Sequence, residues 1–329
     1  MSKKWRCWGL ALVCANAFAQ QKPQYSQYLQ NNFLINPAIA GIENYADMRL
    51  GYRRQWLGLT SSPTTYYLTA HLPIGNDDFE PQTATPRFAP SRRQNFTIPD
   101  QHLGLGLSVV RDQIGLLSVS TFNVAAAYHY PVADGYQLSV GIATGLSQFA
   151  INFDNIRLAN PTDPLLSQGS LSVFRPDLNV GLWVYSSHFF AGLSIQQLAA
   201  GALKFRGNGQ EWTGMLVPHY FLTLGHKLEI TDEWAFVPSI LFKKTKNAPL
   251  SFDLNLKIDY QNQFWGALSY RNQDALMVLL GVRTRSAFSV GYVYEYPLSK
   301  RFATTGSHEI VIGYTIGAQT KSVLPRNFW

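Results

Sequence analysis

Seven histidines and two cysteines are the side chains of this 329-residue chain best suited to metal or nucleophilic chemistry. Both cysteines, Cys7 and Cys14, fall within the first 20 residues, MSKKWRCWGLALVCANAFAQ. No histidines form an i, i+4 helical pair, and on a strand His219 and His226 have opposite parity, so they cannot face one metal ion. Gly-Leu-Gly-Leu at 104–107 and Gly-Asn-Gly at 207–209 lack the third glycine and the strand-to-helix context of a nucleotide loop. They read better as small strand residues against another segment and as a loop turn. No Gly-x-Ser-x-Gly elbow is present. The residues therefore predict no catalytic set, no cofactor and no metal site, and the chain is not expected to be an enzyme.

The remaining chemistry is ionic. Arg49, Arg53, Lys227, Lys243, Lys257 and Arg271 oppose Glu229, Asp253, Asp259 and Glu309 at positions that recur on one strand face. Such a set could line an ion pathway, although mutual neutralisation in a shared interior is the simpler account. A second charged region runs from 74 to 100. It carries Asp77, Asp78 and Glu80, then Arg87, Arg92 and Arg93, with prolines at 81, 86, 90 and 99. Proline density and separated blocks of opposite charge fit an extended arm better than a packed mini-domain, either a docking arm or a disordered insertion with no role. The tail from Lys321 to Trp329, with Arg326, offers a second contact of that kind.

The elements that position these residues begin with a leader. Lys3, Lys4 and Arg6 precede the mostly apolar stretch Trp8 to Ala15, and Ala17-Phe18-Ala19 fits an A-x-A cleavage site, so 1–19 reads as a secretory signal peptide. Its removal takes both cysteines, which excludes disulfides and thiolate sites from the mature chain. It also lowers Lys plus Arg from 27 to 24 against 20 acids, so the net charge falls from +7 to +4. The basic isoelectric point is thus partly a property of the leader, and nucleic acid is not an expected partner.

No stretch approaches 18 apolar residues; the longest, near Ala275 to Val282, has about eight, too few for a spanning helix. The informative period is two. In LSFDLNLKIDY, 250–260, Leu250, Phe252, Leu254, Leu256, Ile258 and Tyr260 alternate with Ser251, Asp253, Asn255, Lys257 and Asp259. The same alternation recurs at 64–73, 117–130, 135–148 and 306–316, and more weakly elsewhere. Fourteen strands are expected: 46–56, 64–73, 102–111, 117–130, 135–148, 176–185, 188–197, 217–230, 233–244, 250–260, 262–271, 275–284, 286–296 and 306–316. Short turns near 132–135, 186–187, 231–232, 261–262 and 284–285 alternate with long connections at 149–175 and 198–216. Only 74–100 breaks that asymmetry. The pattern predicts an all-β, antiparallel transmembrane outer-membrane barrel over 45–316, with both termini periplasmic. Trp56, Trp183, Trp234 and Trp265, near strand ends, are expected in the aromatic girdles that meet outer-membrane lipid.

Residues 20–44 stand apart. QKPQYSQYLQNNFLINPAIAG, 21–41, is rich in Gln, Asn and Tyr and follows neither a strand nor a helix period. Ahead of a barrel too wide to fill with its own side chains, it is expected to fold back as a plug. Its amides would bond lumen groups such as Arg49, Arg53, Asp253 and Lys257. The alternative is a periplasmic strap.

SQYLQNNFLINPAIAG (26–41), YRRQW (52–56), DQIGLLS (112–118), AAAYHYPV (125–132), LSVGIATGLSQ (138–148), WGALSYRNQDA (265–275), VGYVYEYPLS (290–299) and GSHEIVIGY (306–314) follow one another as in PorP/SprF family proteins. The resemblance covers about 24–316 and is most specific in the opening segment, where Tyr25, Gln27, Tyr28, Asn36, Pro37 and Gly41 carry it. It implies a non-enzymatic outer-membrane component of the type IX secretion and gliding machinery of Bacteroidetes. It also implies periplasmic ring and peptidoglycan-linked partners, and a client such as a large adhesin with a C-terminal sorting domain. A plugged outer-membrane channel for small hydrophobic solutes is the competing reading. The residues after 317, a predicted periplasmic tail, and the 74–100 insertion lie outside the resemblance.

Overall fold

The computed structural model describes residues 26–59, 61–75, 100–133, 135–152, 170–207, 210–231, 233–246, 248–284, 287–298 and 304–317. The predicted leader, most of the 74–100 insertion, most of the predicted 149–175 connection and the tail after 317 lie outside them, and with them Tyr25, Asp77, Asp78, Arg92, Arg93, Arg326 and Trp329. Three short 3-10 turns, Ser26–Leu29, Asn32–Leu34 and Pro37–Ile39, precede the first strand.

Seventeen strands follow: β1 Ala46–Arg54, β2 Thr64–Ile74, β3 His102–Ile114, β4 Leu117–Ala133, β5 Tyr136–Asn152, β6 Ser170–Tyr185, β7 Phe189–Gln196, β8 Ala202–Gly207, β9 Gln210–Met215, β10 His219–His226, β11 Leu228–Glu229, β12 Trp234–Thr245, β13 Ser251–Tyr260, β14 Phe264–Arg271, β15 Ala275–Arg283, β16 Phe288–Pro297 and β17 Ser307–Ile316. Strands β10 and β11 are one wall strand broken at Lys227, since both pair with β12. Apart from the β8–β9 hairpin, neighbours pair antiparallel in chain order, and β1 pairs with β17 from Ala46↔Ile316 to Arg54↔His308. The result is the expected closed barrel of fourteen antiparallel strands. Closure leaves no barrel edge for lipid to solvate, which is the condition for crossing a bilayer with strands. No helix among the described residues is long and apolar enough to cross a membrane.

Alternation places the side chains as the sequence predicts. In β13, Leu254 and Leu256 face outward and are exposed, while Asp253, Asn255, Lys257 and Asp259 are buried in the interior. In β4, Phe122, Val124, Tyr128 and Tyr130 point out, and Asn123, Ala125, Ala127 and His129 point in. Outside, Trp234 meets Tyr260 at 4.6 Å, and Phe288 meets Tyr314 at 4.7 Å, in a ring at the end where β1 begins, here the basal end.

Two of the expected girdle tryptophans are not in a girdle. Trp183 and Trp265 are buried in the interior. Parity puts them there: Trp183 shares a face with Asp177 and Asn179, and Trp265 shares one with Ser269 and Arg271. Each lies over a glycine directly across the ladder, Trp183 on Gly192 and Trp265 on Gly281. A Cβ on either glycine would sit within about 2 Å of the indole. Tyr67 and Phe190 use Gly51 and Gly225 in the same way. A glycine opposite a large ring lets that ring lie flat against the wall, and this fills a lumen that aliphatic side chains would leave open.

A further correction concerns the distal end. A tilted strand crosses the apolar core in roughly 9–11 residues. Strands β4 and β5 have 17 residues each and β6 has 16, so they rise well beyond it. The connection expected as an open loop at 198–216 contains the β8–β9 hairpin. Its Leu203 and Phe205 pack on Phe149, Val119, Ile151, Leu171 and Val173 of the risen strands. Polarity inverts there: outward positions carry Ser118, Ser120, Gln148 and Ser172, and inward positions are apolar. That is the pattern of a sheet in water with one face covered.

Candidate functional site: the filled lumen

The interior is occupied by the chain's own N-terminal segment. Residues from Tyr28 to Tyr45 are buried throughout. The segment has no regular hydrogen-bond ladder, so the inward side chains of the wall satisfy its backbone. Ser194 Oγ donates to Ile35 O at 2.6 Å, and Gln196 Nε2 donates to Leu34 O at 2.8 Å. Ser139 Oγ donates to Ala38 O at 2.6 Å. His129 Nε2 meets Ala40 O at 2.8 Å, and His102 Nε2 meets Gly41 O at 3.0 Å. The Gly41 N–H in turn reaches His71 Nδ1 at 3.3 Å. Six side chains from β2, β3, β4, β5 and β7 thus hold the run 34–41.

The family-motif residues account for its shape. Asn36 caps the third 3-10 turn, its Oδ1 accepting from Ala38 N at 3.0 Å, and Pro37 takes the first helical position, where its fixed φ suits the turn. Asn36 Nδ2 donates across to Leu182 O and Leu193 O at 3.0 and 3.3 Å. Gly41 has φ +70°, and a Cβ there would lie 2.4 Å from Gly104 Cα. A Cβ on Gly104 would lie 1.8 Å from Ala40 O, and one on Gly141 would lie 2.4 Å from Ala38. The glycine pair at 104 and 106 is therefore the seat of the segment, with Phe33 against Gly106. Gln27 lies in the first turn, Ser26–Leu29; its side chain is outside the described residues.

Asn31 and Asn36 of the segment reach neutral groups, where charged lumen groups were expected. Asn31 donates to Thr69 Oγ1 at 2.8 Å. Tyr28 Oη donates to Asn255 Oδ1 at 3.1 Å, and burial, aided by the nearby Asp253 charge, holds its phenol well above the ordinary tyrosine range. The predicted charges are brought together mostly with acids and bases that the sequence reading missed. Arg49 bonds Asp47 in bidentate fashion at 2.8 Å, and Asp259 accepts from Arg283 at 2.8 Å. Arg53 reaches Glu295 at 2.9 Å and Glu309 at 3.6 Å. Arg271 joins Asp253, Asp274 and Glu295 at 3.2, 3.7 and 3.6 Å. Lys227 meets Glu229 at 2.6 Å, and Lys257 sits 5.6 Å from the ring centre of Trp265. Asp47, Arg283 and Glu295 share the parity of the predicted lumen residues, so alternation could have found them. The holding residues Ser139, Ser194, Gln196 and His102 carry the same signal: polar and inward.

His219 and His226 face opposite sides, and among the described residues no group of three or more His, Cys, Asp or Glu is placed to hold a metal ion. The arrangement is that of a wall locked onto a strap of its own chain.

Comparison with solved structures returns outer-membrane barrels. A FadL homologue of Pseudomonas aeruginosa aligns with a TM-score of 0.50 at 10% identity, over 83% of this chain and 90% of that one. The toluene transporter TodX of P. putida gives 0.49 at 10% identity, over 86% and 93%. The translocator domain of the autotransporter NalP from Neisseria meningitidis gives 0.43 at 11%, over 83% and 88%. At such identity the first shows a shared outer-membrane barrel fold and nothing of function. No curated protein matches the sequence. The family model for the type IX secretion system membrane protein PorP/SprF matches residues 17–314, nearly the whole chain, and the protein belongs to that family.

Proposed function

We propose that this protein is a non-enzymatic outer-membrane subunit of the type IX secretion and gliding machinery whose work is to bind other proteins. The observation that carries this reading is the strap at 34–41, held by wall side chains from five strands. A conduit needs an open lumen, whereas a docking subunit needs a rigid one. In this reading the basal end faces the periplasm. The docking elements there are the charged arm at 74–100, with Asp77, Asp78, Arg92 and Arg93, and the tail at 317–329, with Arg326 and Trp329. Their partners are the periplasmic ring and peptidoglycan-linked components, while the distal end meets a secreted client such as an adhesin with a C-terminal sorting domain.

The test is deletion of the gene in its native host. Type IX clients should disappear from the cell surface and accumulate inside, while uptake of small hydrophobic solutes stays at the wild-type rate. Loss of solute uptake with normal client display would overturn the reading in favour of a plugged solute channel.

A further inference from the structure

The wall strand β6 is paired on both sides only over part of its length. Its β7 side is occupied from Val180 to Tyr185, and its β5 side from Ser170 to Tyr185. Past Leu178, whose carbonyl accepts from Leu198 N at 2.8 Å, no strand among the described residues pairs with that side of β6. Backbone groups alternate between the two sides of a strand. Since Leu178 O points toward β7, the N–H and C=O groups of Ser170, Ser172 and Phe174 point to the open side as well. Pro176 supports this independently. It pairs with Leu146 inside the sheet, and proline is tolerated there when the missing N–H lies on an unpaired edge.

This edge lies on the extension above the apolar core. Its inner face, Leu171 and Val173, is covered by Leu203 and Phe205 of the β8–β9 hairpin. On its outer face Phe174 is 62% exposed and lies level with Gln148 of β5. An unpaired edge is a template for another strand; Pro176 blocks its lower end, while Ser170, Ser172 and Phe174 keep their N–H groups. A second copy of the barrel does not fit. Barrel strands tilt by roughly 35–45°. Two copies in one membrane are related by an axis along its normal, so their β6 edges would cross at roughly 70–90° and could not continue a ladder.

We propose that the open edge of β6, Ser170 to Phe174, is a β-augmentation site. It takes an extended segment of a secreted polypeptide at the cell surface, with alternate apolar residues turned toward Phe174 and the hairpin. This rests on the reading of the protein as a client-binding subunit with its distal end outside the cell.

The experiment uses the full-length protein in lipid nanodiscs and, as probe, the purified C-terminal domain of a type IX client from the same genome. Ser172→Pro and Phe174→Pro together remove two of the three open-side N–H groups and leave the β5 ladder untouched. With the barrel verified by its heat-modifiable band, binding should weaken at least about tenfold, the scale of losing two to three net hydrogen bonds. Ser172→Ala should bind like the wild type. In hydrogen exchange the domain should protect the open-side amides of residues 170, 172 and 174, which the β5 ladder does not hold. Wild-type affinity in the double proline variant would overturn the edge site and leave the client reading intact. So would full protection of those amides without the domain, because the chain's own 153–169 segment would then hold the edge. A wild-type protein that fails to bind the domain overturns both.

Discussion

His102 and His129 stack with ring centres 4.5 Å apart and planes 1° from parallel. Their Nε2 atoms point at the consecutive carbonyls of Gly41 and Ala40. A carbonyl only accepts, so His129 keeps its proton on Nε2, while both ring nitrogens of His102 face carbonyls, Gly41 O and Asp100 O at 2.9 Å; the pair meets adjacent peptide units of the strap from neighbouring strands. Tyr185 fixes the His129 ring from behind through Nδ1 at 2.9 Å. Replacing both histidines by alanine leaves two buried carbonyls unpaired, each costing roughly 1–3 kcal/mol. The double variant should assemble as a barrel yet show flickering conductance in planar bilayers. Deleting 26–41 outright should give a steady and larger conductance. Silence in both would place the barrier elsewhere in the lumen.

Gly104 offers a sharper test of the same seat. Gly104→Val drives a branched side chain into the Ala40 carbonyl, which a Cβ alone would approach to 1.8 Å. The strap must move, because the β3 backbone is fixed by two ladders. Strap displacement should make the N-terminal segment sensitive to added protease while the barrel stays resistant. Gly266→Ala is the control, since its nearest neighbour is a flexible Leu280 methyl at 3.4 Å.

The ion pairs make a separate prediction. Arg271 is buried between Asp253 and Glu295 and also faces Asp274. Arg271→Ala leaves buried acids without their cation and should cost roughly 3–5 kcal/mol in urea unfolding. Asp274 lies in the turn after β14. Burial, with the charges of Glu295 and Asp253, already raises its carboxyl above the usual range, and Arg271 pulls it back. An acid whose folded pKa is raised binds more protons when folded, so its penalty is present above that pKa and relieved as pH falls through it. The variant should therefore regain stability on acidification more steeply than the wild type.

Most of the wall was legible because one physical rule, apolar to lipid and mostly polar to the interior, sets the alternation of a membrane barrel strand. It located all fourteen wall strands. It failed where residue type was allowed to outweigh parity. Trp183 and Trp265 were assigned to girdles as tryptophans, although Asn179 and Ser269 on the same faces marked them as internal. The rule also stops at the membrane surface. Beyond it, β6 begins at Ser170, six residues before the predicted start at Pro176, because Ser-Leu-Ser-Val-Phe alternates in the opposite sense. The β8–β9 hairpin falls in a stretch that the alternation reads as one long connection, 198–216. The contacts of the strap were beyond sequence reasoning altogether, since they join residues 30 to 227 positions apart with no period to reveal them.

Orientation is tested on whole cells. No cysteine follows Cys14 in the sequence, so single cysteines introduced in the barrel report cleanly there. Thr213→Cys on the distal hairpin should react with an impermeant maleimide from outside. Ser187→Cys and Gln261→Cys, in basal turns, should react only after the outer membrane is opened. The reverse pattern would invert the barrel and remove the surface-facing β6 site with it.

The last prediction concerns the arm between β2 and β3. The strands it joins are adjacent and antiparallel from Thr64↔Gln113 to Ile74↔Leu103, so a tight turn would satisfy their backbone. The chain instead spends the intervening residues on two blocks of opposite charge separated by prolines. Such a composition gains little from packing on itself, because its charges would have to shed water for few apolar contacts. It can gain from a partner of alternating charge, where pairs form at a rim that salt screens. Trimming 76–98 to a short turn should leave the heat-modifiable barrel intact and abolish co-purification of the periplasmic ring components. Raising salt should weaken the wild-type complex in the same direction. If the trimmed protein still brings down those components at wild-type levels in moderate salt, the arm has no docking role, and the contact must fall to the short basal turns or the tail.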